Sequence, residues 1–246
     1  MTAGKNWLPA DWPAPEGVVA GTTLRDGGVS SGRFDSLNLG AYVDDDADAV
    51  SENRIRFRSF CDLPSEPRWL RQVHGSNVVV EPPAGETPEA DAALTRQPGV
   101  VCVVQTADCL PVIFASGDGA EVAIAHAGWR GLAAGVLEAT VRAMSTDPAN
   151  LLAWLGPAIS QPAFEVGGEV RDEFLAHDPA AAGCFVENEC GRWQADLYGL
   201  ARMRLGGAGV EQVSGGDYCT FSEPERFFSF RRDGACGRMA SFVFRK

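Results

Sequence analysis

The stretch that decides the fold runs from residue 100 to residue 144 and reads VVCVVQTADCLPVIFASGDGAEVAIAHAGWRGLAAGVLEATVRAM. Its three apolar runs, at residues 100–105, 110–115 and 121–127, have the length and composition of buried strands. The SGDG sequence at 116–119 predicts a hairpin turn between the second and third strands. From residue 129 to residue 144, apolar side chains recur at positions i, i+3, i+4 and i+7, which predicts one amphipathic helix.

Further strands and helices are predicted on both sides of this stretch. Apolar patterning indicates strands at residues 17–24, 68–73, 78–81, 151–155, 210–213 and 239–244. Helices are expected around residues 50–60, 170–177 and 194–205, and the acidic residues at 44–48 suit the first turn of the first helix better than a metal site. Several strands in succession, with helices mainly in the second half, predict an α+β fold with mixed β-sheets. No linker divides the chain, so we expect one domain over residues 1–246.

Composition excludes several classes of protein. The 246 residues contain 45% hydrophobic residues, enough for a large core, and carry a formal net charge of −12. This acidity argues against nucleic-acid binding, which depends on Lys and Arg. No apolar run is long enough to cross a membrane, and residues 1–16 do not resemble a secretory signal. Seven cysteines without a C-x-x-C pair favour a reducing compartment, so we expect a cytoplasmic protein.

Two of the three histidines and one cysteine occupy predicted strand ends. His74 closes a strand in RQVHG, His126 closes another in AHAGWRG, and Cys109 lies in the polar turn TADCLP between two buried strands. Strand ends commonly converge at one edge of a sheet, where sites are found. His, Cys and His without a fourth protein ligand fit a mononuclear zinc site with one open position. The residues leave two other interpretations open: Cys109 as a nucleophile with His126 or His74 as its base, and purely structural roles.

Cations beside flexible turns are candidate ligands for an anionic substrate. Arg130 lies in the first turn of the predicted helix, where the helix dipole disfavours a positive charge. We therefore expect its side chain to face a phosphate or carboxylate. Gly128 would let the backbone approach that anion closely. Arg25, before Gly27 and Gly28, and Arg231, before Gly234, are further candidate substrate-binding residues.

Several uncommon motifs follow one another in a fixed order along nearly the whole chain. They are RDGGVS at 25–30, SLNLG at 36–40, QVHG at 72–75, TADCLP at 106–111, AHAGWRG at 125–131, LGPAI at 155–159, FEVG at 164–167, GGD at 215–217, FSFRRDG at 228–234 and GRMA at 237–240. In these motifs the sequence resembles the YfiH-type laccase-domain family, whose members are known as polyphenol oxidase, purine nucleoside phosphorylase or peptidoglycan editing factor.

The resemblance implies a sandwich of mixed sheets flanked by helices, with zinc on His74, Cys109 and His126. It further implies a purine nucleoside phosphorylase that takes a nucleoside and phosphate, with adenosine deaminase and methylthioadenosine phosphorylase activity. In such chemistry Cys109, His126 and Asp108 are the candidate catalytic residues, with Asp108 as a base or as the residue that caps its turn. Asn38 is a candidate contact to the base or ribose.

The resemblance also leaves two other activities open. One is an amide hydrolase that removes L-serine from a muropeptide precursor, UDP-N-acetylmuramoyl-L-serine. The other is a copper-dependent polyphenol oxidase, which needs a blue-copper centre and a separate histidine-rich copper cluster. Three histidines do not supply both copper sites, so Cu²⁺ is less favoured than Zn²⁺.

Overall fold

Strands dominate the first half of the chain, and helices are interspersed mainly in the second half, in a computed structural model that describes residues 6–246. The strands are β1 (Trp7–Pro9), β2 (Val18–Thr23), β3 (Val78–Val80), β4 (Ala92–Thr95), β5 (Cys102–Thr106), β6 (Leu110–Ser116), β7 (Val122–Ala127), β8 (Leu151–Leu155), β9 (Glu165–Val166), β10 (Phe185–Glu187), β11 (Trp193–Ala195), β12 (Gln212–Gly215) and β13 (Met239–Arg245). The helices are α1 (Ala47–Phe60), α2 (Trp129–Ala133), α3 (Val136–Ala143), α4 (Gly168–His177), α5 (Leu197–Gly207) and α6 (Phe230–Asp233).

Two mixed or antiparallel sheets form the centre of the described part of the chain. The larger has the strand order β12-β8-β6-β7-β4-β3, and the smaller has the order β1-β2-β13-β5. Ile113 and Ile124 of the larger sheet pack with Val104 and Val243 of the smaller one in a single buried cluster. The sheets therefore form a sandwich with a shared apolar layer. A third sheet, β10-β11-β9, is separate from both in its hydrogen bonding.

Helices cover the outer faces of the sandwich. Phe114 and Ala125 point away from the second sheet and pack in one cluster with Leu137 of α3 and Leu200 of α5. On the other side, Phe57 of α1 packs in a cluster that includes side chains of β5 and β13. Because β6 and β7 are buried on both faces, their sequences are continuous apolar runs, as is typical of central strands.

The sequence correctly predicts the α+β class, the mixed sheets and most of the central strands. The hairpin at 116–119 is confirmed, since β6 and β7 pair antiparallel across it. The acidic segment caps α1, because the Asp46 carboxylate accepts a hydrogen bond from the Ala49 backbone N–H. Ile55, by contrast, faces away from the core and is 62% exposed.

The strand predicted at residues 68–73 is wrong. The backbone there makes only isolated bridges, Arg68 with Cys102 and Arg71 with Glu89. Because these two partners belong to different parts of the fold, no ladder of hydrogen bonds extends along the segment. The predicted strand at 210–213 lies two residues further along, as β12, and the helix predicted from 194 begins at 197 because β11 occupies the residues before it.

The single amphipathic helix predicted from 129 to 144 is also wrong, because two helices occupy this range. Gly135 separates α2 from α3 and has a left-handed φ of +88°, a conformation that glycine adopts without steric cost. Leu132, Val136 and Val141 nevertheless join the same buried cluster, so the apolar pattern continues across the break. None of the helices in the described residues is long and apolar enough to cross a bilayer.

Candidate metal centre and substrate cavity

A cavity of about 550 Å³ lies beside the turn that joins β5 to β6. This turn is short because the chain passes directly from the smaller sheet to the larger one, with only residues 107–109 between the strands. Of the candidate site residues, the structure brings six to the cavity wall: His74, Asp108, Cys109, His126, Arg130 and Arg231.

His74, Cys109 and His126 offer ligand atoms that all lie within 4.8 Å of one another. The Cys109 Sγ is 3.9 Å from the His74 Nε2, and the two imidazole rings meet edge to face with centroids 4.8 Å apart. Tetrahedral zinc with bonds of about 2.0–2.3 Å holds its ligands roughly 3.3–3.8 Å apart, so small side-chain rotations suffice to close the set. The donor chemistry, two imidazoles and one thiolate, fits zinc. His126 is buried and His74 is exposed to the cavity, which leaves one side open to a substrate.

Asp108 holds the turn that carries Cys109. Its backbone has a left-handed φ of +89°, which is uncommon for a residue with a side chain. The carboxylate accepts a hydrogen bond from the Thr220 hydroxyl at 2.6 Å and another from the Arg231 backbone N–H at 2.7 Å. These bonds tie the turn to α6 and to the segment before it, so Cys109 is held from two sides.

Asp91 links the two histidines of the centre. Its side chain is fully buried, and its Oδ1 is 2.8 Å from the His126 Nδ1. The same carboxylate accepts hydrogen bonds from the backbone N–H groups of Val73, His74 and Gly75. Sequence reasoning missed Asp91; the available signal was a carboxylate placed directly before the short apolar run AALT.

Cys109 and His126 shift each other's pKa in opposite directions. Burial alone would raise the pKa of the Cys109 thiol, but the charge of His126 and hydrogen bonds with both histidines lower it to about 6. Burial alone would lower the pKa of His126, but the charge of Cys109 and the hydrogen bond to Asp91 raise it to about 9. The thiolate, which is the metal-binding form of cysteine, is therefore favoured at this position.

The arginines around the cavity differ in how far their guanidinium groups are already engaged. Arg130 is exposed, and its guanidinium stacks over the Trp129 ring at 4.3 Å and makes no hydrogen bond or ion pair with any residue in 6–246. Arg231 donates to the Glu165 carbonyl, and Arg238 donates to the carbonyls of Cys236 and Gly237. Because α2 has only five residues, its N-terminus contributes little to anion binding, and the Arg130 side chain is the main candidate.

Arg25 and Asn38 are not brought to the cavity wall. The Arg25 guanidinium donates to the backbone carbonyls of Asp35 and Pro224. Asn38 is fully buried. Its side-chain amide accepts a hydrogen bond from the Gly40 backbone N–H and donates one to the Asp45 carboxylate. In the structure both side chains stabilise the loops that precede α1.

Sequence reasoning missed several further side chains that line the cavity, among them Tyr42, Phe230 and Arg238. Tyr42 is 74% exposed and Phe230 is 56% exposed, so both rings are largely uncovered. Phe230 and Arg238 belong to the FSFRRDG and GRMA motifs, which could have pointed to them. Tyr42 lies in an irregular loop with no comparable signal.

Comparisons with known proteins show the family of this chain. The family model described as multi-copper polyphenol oxidoreductase laccase matches residues 19–246. The purine nucleoside phosphorylase YfiH of Escherichia coli strain K12 is 55% identical over 236 residues, which cover 95% of this chain and 96% of that protein. A purine nucleoside phosphorylase of Pseudomonas aeruginosa is 55% identical, over 97% of this chain and 98% of that protein.

A solved structure extends the likeness to three dimensions. The crystal structure of a Neisseria meningitidis protein superposes with a TM-score of 0.95 at 49% sequence identity, covering 98% of this chain and 100% of that one. The span of the family model, residues 19–246, includes His74, Asp91, Cys109 and His126. The chain therefore belongs to the multi-copper polyphenol oxidoreductase laccase family, as its resemblance to the YfiH-type laccase-domain proteins predicted.

Proposed function

We propose that this protein is a zinc-dependent purine nucleoside phosphorylase that also cleaves methylthioadenosine and deaminates adenosine. The observation that carries the proposal is the cluster of His74, Cys109 and His126 in the wall of a cavity that also presents arginine and aromatic side chains. The substrate class comes from the names of the Escherichia coli and Pseudomonas aeruginosa relatives.

His74, Cys109 and His126 would hold the metal. Zinc bound there would act as a Lewis acid that polarises a substrate atom. Zinc is favoured over copper because the chain has only three histidines, one of which, His177, lines a different cavity. A metal-free Cys109 nucleophile would need one imidazole as its base, and the second imidazole beside the thiol supports a ligand set instead.

Arg130 would bind the phosphate. Phosphorolysis forms a bond from a phosphate oxygen to C1′ of the ribose and breaks the bond from C1′ to the purine, which leaves with the proton that the phosphate brought. An arginine fork suits the phosphate oxygens, and Arg130 has its donors uncommitted within the described residues. Arg231 and Arg238 each donate hydrogen bonds to backbone carbonyls. Only the remaining N–H groups of these two guanidinium groups would be available to the substrate.

The aromatic side chains would hold the purine. Tyr42, Trp129, Phe164 and Phe230 line the same cavity as the metal centre. A purine is flat and presents a π-face, so it gains contact energy from stacking on such rings. The cavity volume of about 550 Å³ lies within the range for small-molecule sites.

Asp108 remains a candidate base for the deamination. Both of its carboxylate oxygens accept hydrogen bonds, from Thr220 and from the Arg231 backbone, which supports the role of holding Cys109 in place over proton transfer.

For the compartment, we propose the cytoplasm. All seven cysteines lie within residues 6–246 and none forms a disulfide, which supports a reducing environment.

A substrate panel run with and without a chelator tests the proposed function. Purified protein receives adenosine, inosine or methylthioadenosine with phosphate, and separately UDP-N-acetylmuramoyl-L-serine or a phenol with oxygen. We expect phosphate-dependent release of free purine that the chelator abolishes and zinc restores. A higher kcat/KM for release of serine would support the peptidoglycan-editing amidase instead, and phenol oxidation that requires added copper would support the oxidase.

A further inference from the structure

Asp91 lies next to His126 because of the register between two strands. It directly precedes β4, whose Ala92 pairs with Ala125 of β7, so Asp91 stands opposite His126. The His126 backbone N–H donates to the Asp91 carbonyl at 2.7 Å. The backbone of Asp91 is therefore fixed to the strand that carries one metal ligand, and its side chain is fully buried there.

Three backbone N–H groups and the His126 Nδ1 surround the Asp91 carboxylate. Its Oδ1 contacts the His126 Nδ1 at 2.8 Å and the His74 backbone N–H at 3.0 Å. Its Oδ2 accepts from the backbone N–H of Gly75 at 2.7 Å and of Val73 at 3.2 Å. Since all three backbone partners are donors, the site suits a carboxylate, which only accepts.

This arrangement acts on both histidines of the centre. Because the carboxylate only accepts, the His126 Nδ1 must carry the proton that bonds it, and the lone pair that is available for a metal stays on Nε2. His74 has a left-handed φ of +62°, a conformation that is costly for a residue with a side chain. The backbone N–H groups of Val73, His74 and Gly75 all donate to the Asp91 carboxylate. These hydrogen bonds hold the turn that directs His74 toward Cys109.

We propose that Asp91 is a positioning residue that sets the ring orientation and tautomer of His126 and the backbone turn of His74, so that both imidazoles face the metal together. The proposal rests on the metal site of the proposed function. It adds a residue that touches no substrate and acts through two of the three ligands.

The affinity test compares Asp91→Asn with Glu121→Gln in the full chain. Glu121 lies immediately before β7, the strand that carries His126, and is a matched control because its side chain is 3% exposed and accepts two backbone N–H groups, those of Ser145 and Thr146. It contacts neither histidine. We measure the zinc affinity of each protein by competition with a chromophoric chelator, together with its Tm. We expect Asp91→Asn to bind zinc about 10- to 100-fold more weakly, and Glu121→Gln to lose Tm but bind zinc like the unmodified protein.

A second measurement needs no variant and so does not depend on whether Asp91→Asn folds. In the zinc-loaded, ¹⁵N-labelled protein, two-bond ¹⁵N–¹H correlations identify which ring nitrogen of each histidine carries a proton. With only three histidines in the chain, the assignment is tractable. We expect His126 to be protonated at Nδ1, and protonation at Nε2 with the metal on Nδ1 would overturn the proposal.

The outcomes separate this proposal from the proposed function. If the unmodified protein binds zinc and Asp91→Asn binds it equally well, the positioning role fails while the metal site stands. If Glu121→Gln weakens zinc binding as much as Asp91→Asn does, the effect is one of general stability and the positioning role again fails. If the unmodified protein binds no zinc, the metal-dependent function itself is contradicted, and the role of Asp91 falls with it.

Discussion

Gly128 leaves no room for a side chain beside Cys109. A Cβ placed at Gly128 would lie 2.8 Å from the Cys109 Sγ and 3.1 Å from the His74 Cδ2. The backbone at Gly128 has φ −61° and ψ 158°, an extended conformation that any residue adopts. Glycine is required there by the closeness of the Cys109 and His74 side chains and not by its own backbone conformation.

We therefore expect Gly128→Ala to fold but to bind zinc weakly, because the new methyl group displaces the thiol and the His74 ring from each other. Elemental analysis and the midpoint of thermal unfolding measure the two effects separately. Gly206→Ala is the control: this helical position has open space around it, and alanine favours a helix by about 0.5–1 kcal/mol. Full zinc content in Gly128→Ala would contradict the steric argument.

The ligand set itself gives the second prediction. Protein purified without added metal should contain roughly one zinc per chain, held by three protein ligands with one open position. Cys109→Ala and His126→Ala should each lose the ion. His177→Ala should keep it, because His177 is the exposed last residue of α4 and lines a different cavity. Stoichiometric zinc in Cys109→Ala would eliminate the assignment.

Cys109 and His126 could be singled out from sequence because one lies in a polar turn between two apolar runs and the other lies near the end of such a run. His74 lies beside them, although the strand predicted before it does not form. His126 and Cys109 belong to β7 and to the turn before β6, whose continuous apolar sequences are distinctive. Asp91 could not be found in the same way. Its role depends on the register of β4 against β7, and β4 is a four-residue strand of mostly small side chains.

The break between α2 and α3 shows a second limit of sequence reasoning. The apolar period of the segment continues across Gly135, so hydrophobic patterning alone predicts one helix. What ends α2 is the left-handed backbone at Gly135, and a glycine inside a helical pattern permits that conformation without requiring it. Similarly, the segment at 68–73 has strand-like residues, but strand formation depends on whether a neighbouring backbone runs alongside it.

Arg130 gives a kinetic prediction. Arg130→Ala should raise the KM for phosphate by roughly 10- to 100-fold and change the KM for the nucleoside little, since a hydrogen bond to a charged group contributes about 1.5–3 kcal/mol. Steady-state assays that vary each substrate in turn give both values. Arg58→Gln on α1 is the control, because the side chain of this exposed arginine pairs, among residues 6–246, only with Glu66. An equal rise in both KM values would contradict a phosphate-specific role.

Glu121 predicts how stability depends on pH. Burial alone would raise its pKa, but the N–H groups of Ser145 and Thr146, with Arg96, lower it below the ordinary value. A carboxyl whose pKa is lowered on folding binds more protons in the unfolded state. Its stabilisation is therefore fully present above the unfolded pKa of about 4.3 and is lost as the pH falls through the lower folded value.

Glu121→Gln should consequently unfold at lower urea concentration than the unmodified protein at pH 7, and the gap between the two should close as the pH falls below about 4. Urea unfolding at a series of pH values measures this gap. Asp118→Asn is not a suitable control, because the pKa of Asp118 is also lowered, by hydrogen bonds from Ser116 and the Ala120 N–H. Arg58→Gln serves again, and a gap that is the same at every pH would contradict the role of Glu121.

Phe230 provides a test of where the purine lies. Its ring is 56% exposed at the cavity and belongs to α6, whose first turn is fixed by the hydrogen bond from the Arg231 backbone N–H to Asp108. If the purine stacks on this ring, Phe230→Ala should raise the KM for the nucleoside roughly ten-fold, since stacking of a base on an aromatic ring is worth about 1–3 kcal/mol. The KM for phosphate and the zinc content should stay unchanged, because Phe230 is neither a cation nor a metal ligand.

Ile55→Ala removes an exposed apolar side chain on α1, away from the cavity, and should alter neither KM. A KM for the nucleoside that is insensitive to Phe230→Ala would move the base toward Tyr42 and Trp129 on the cavity wall.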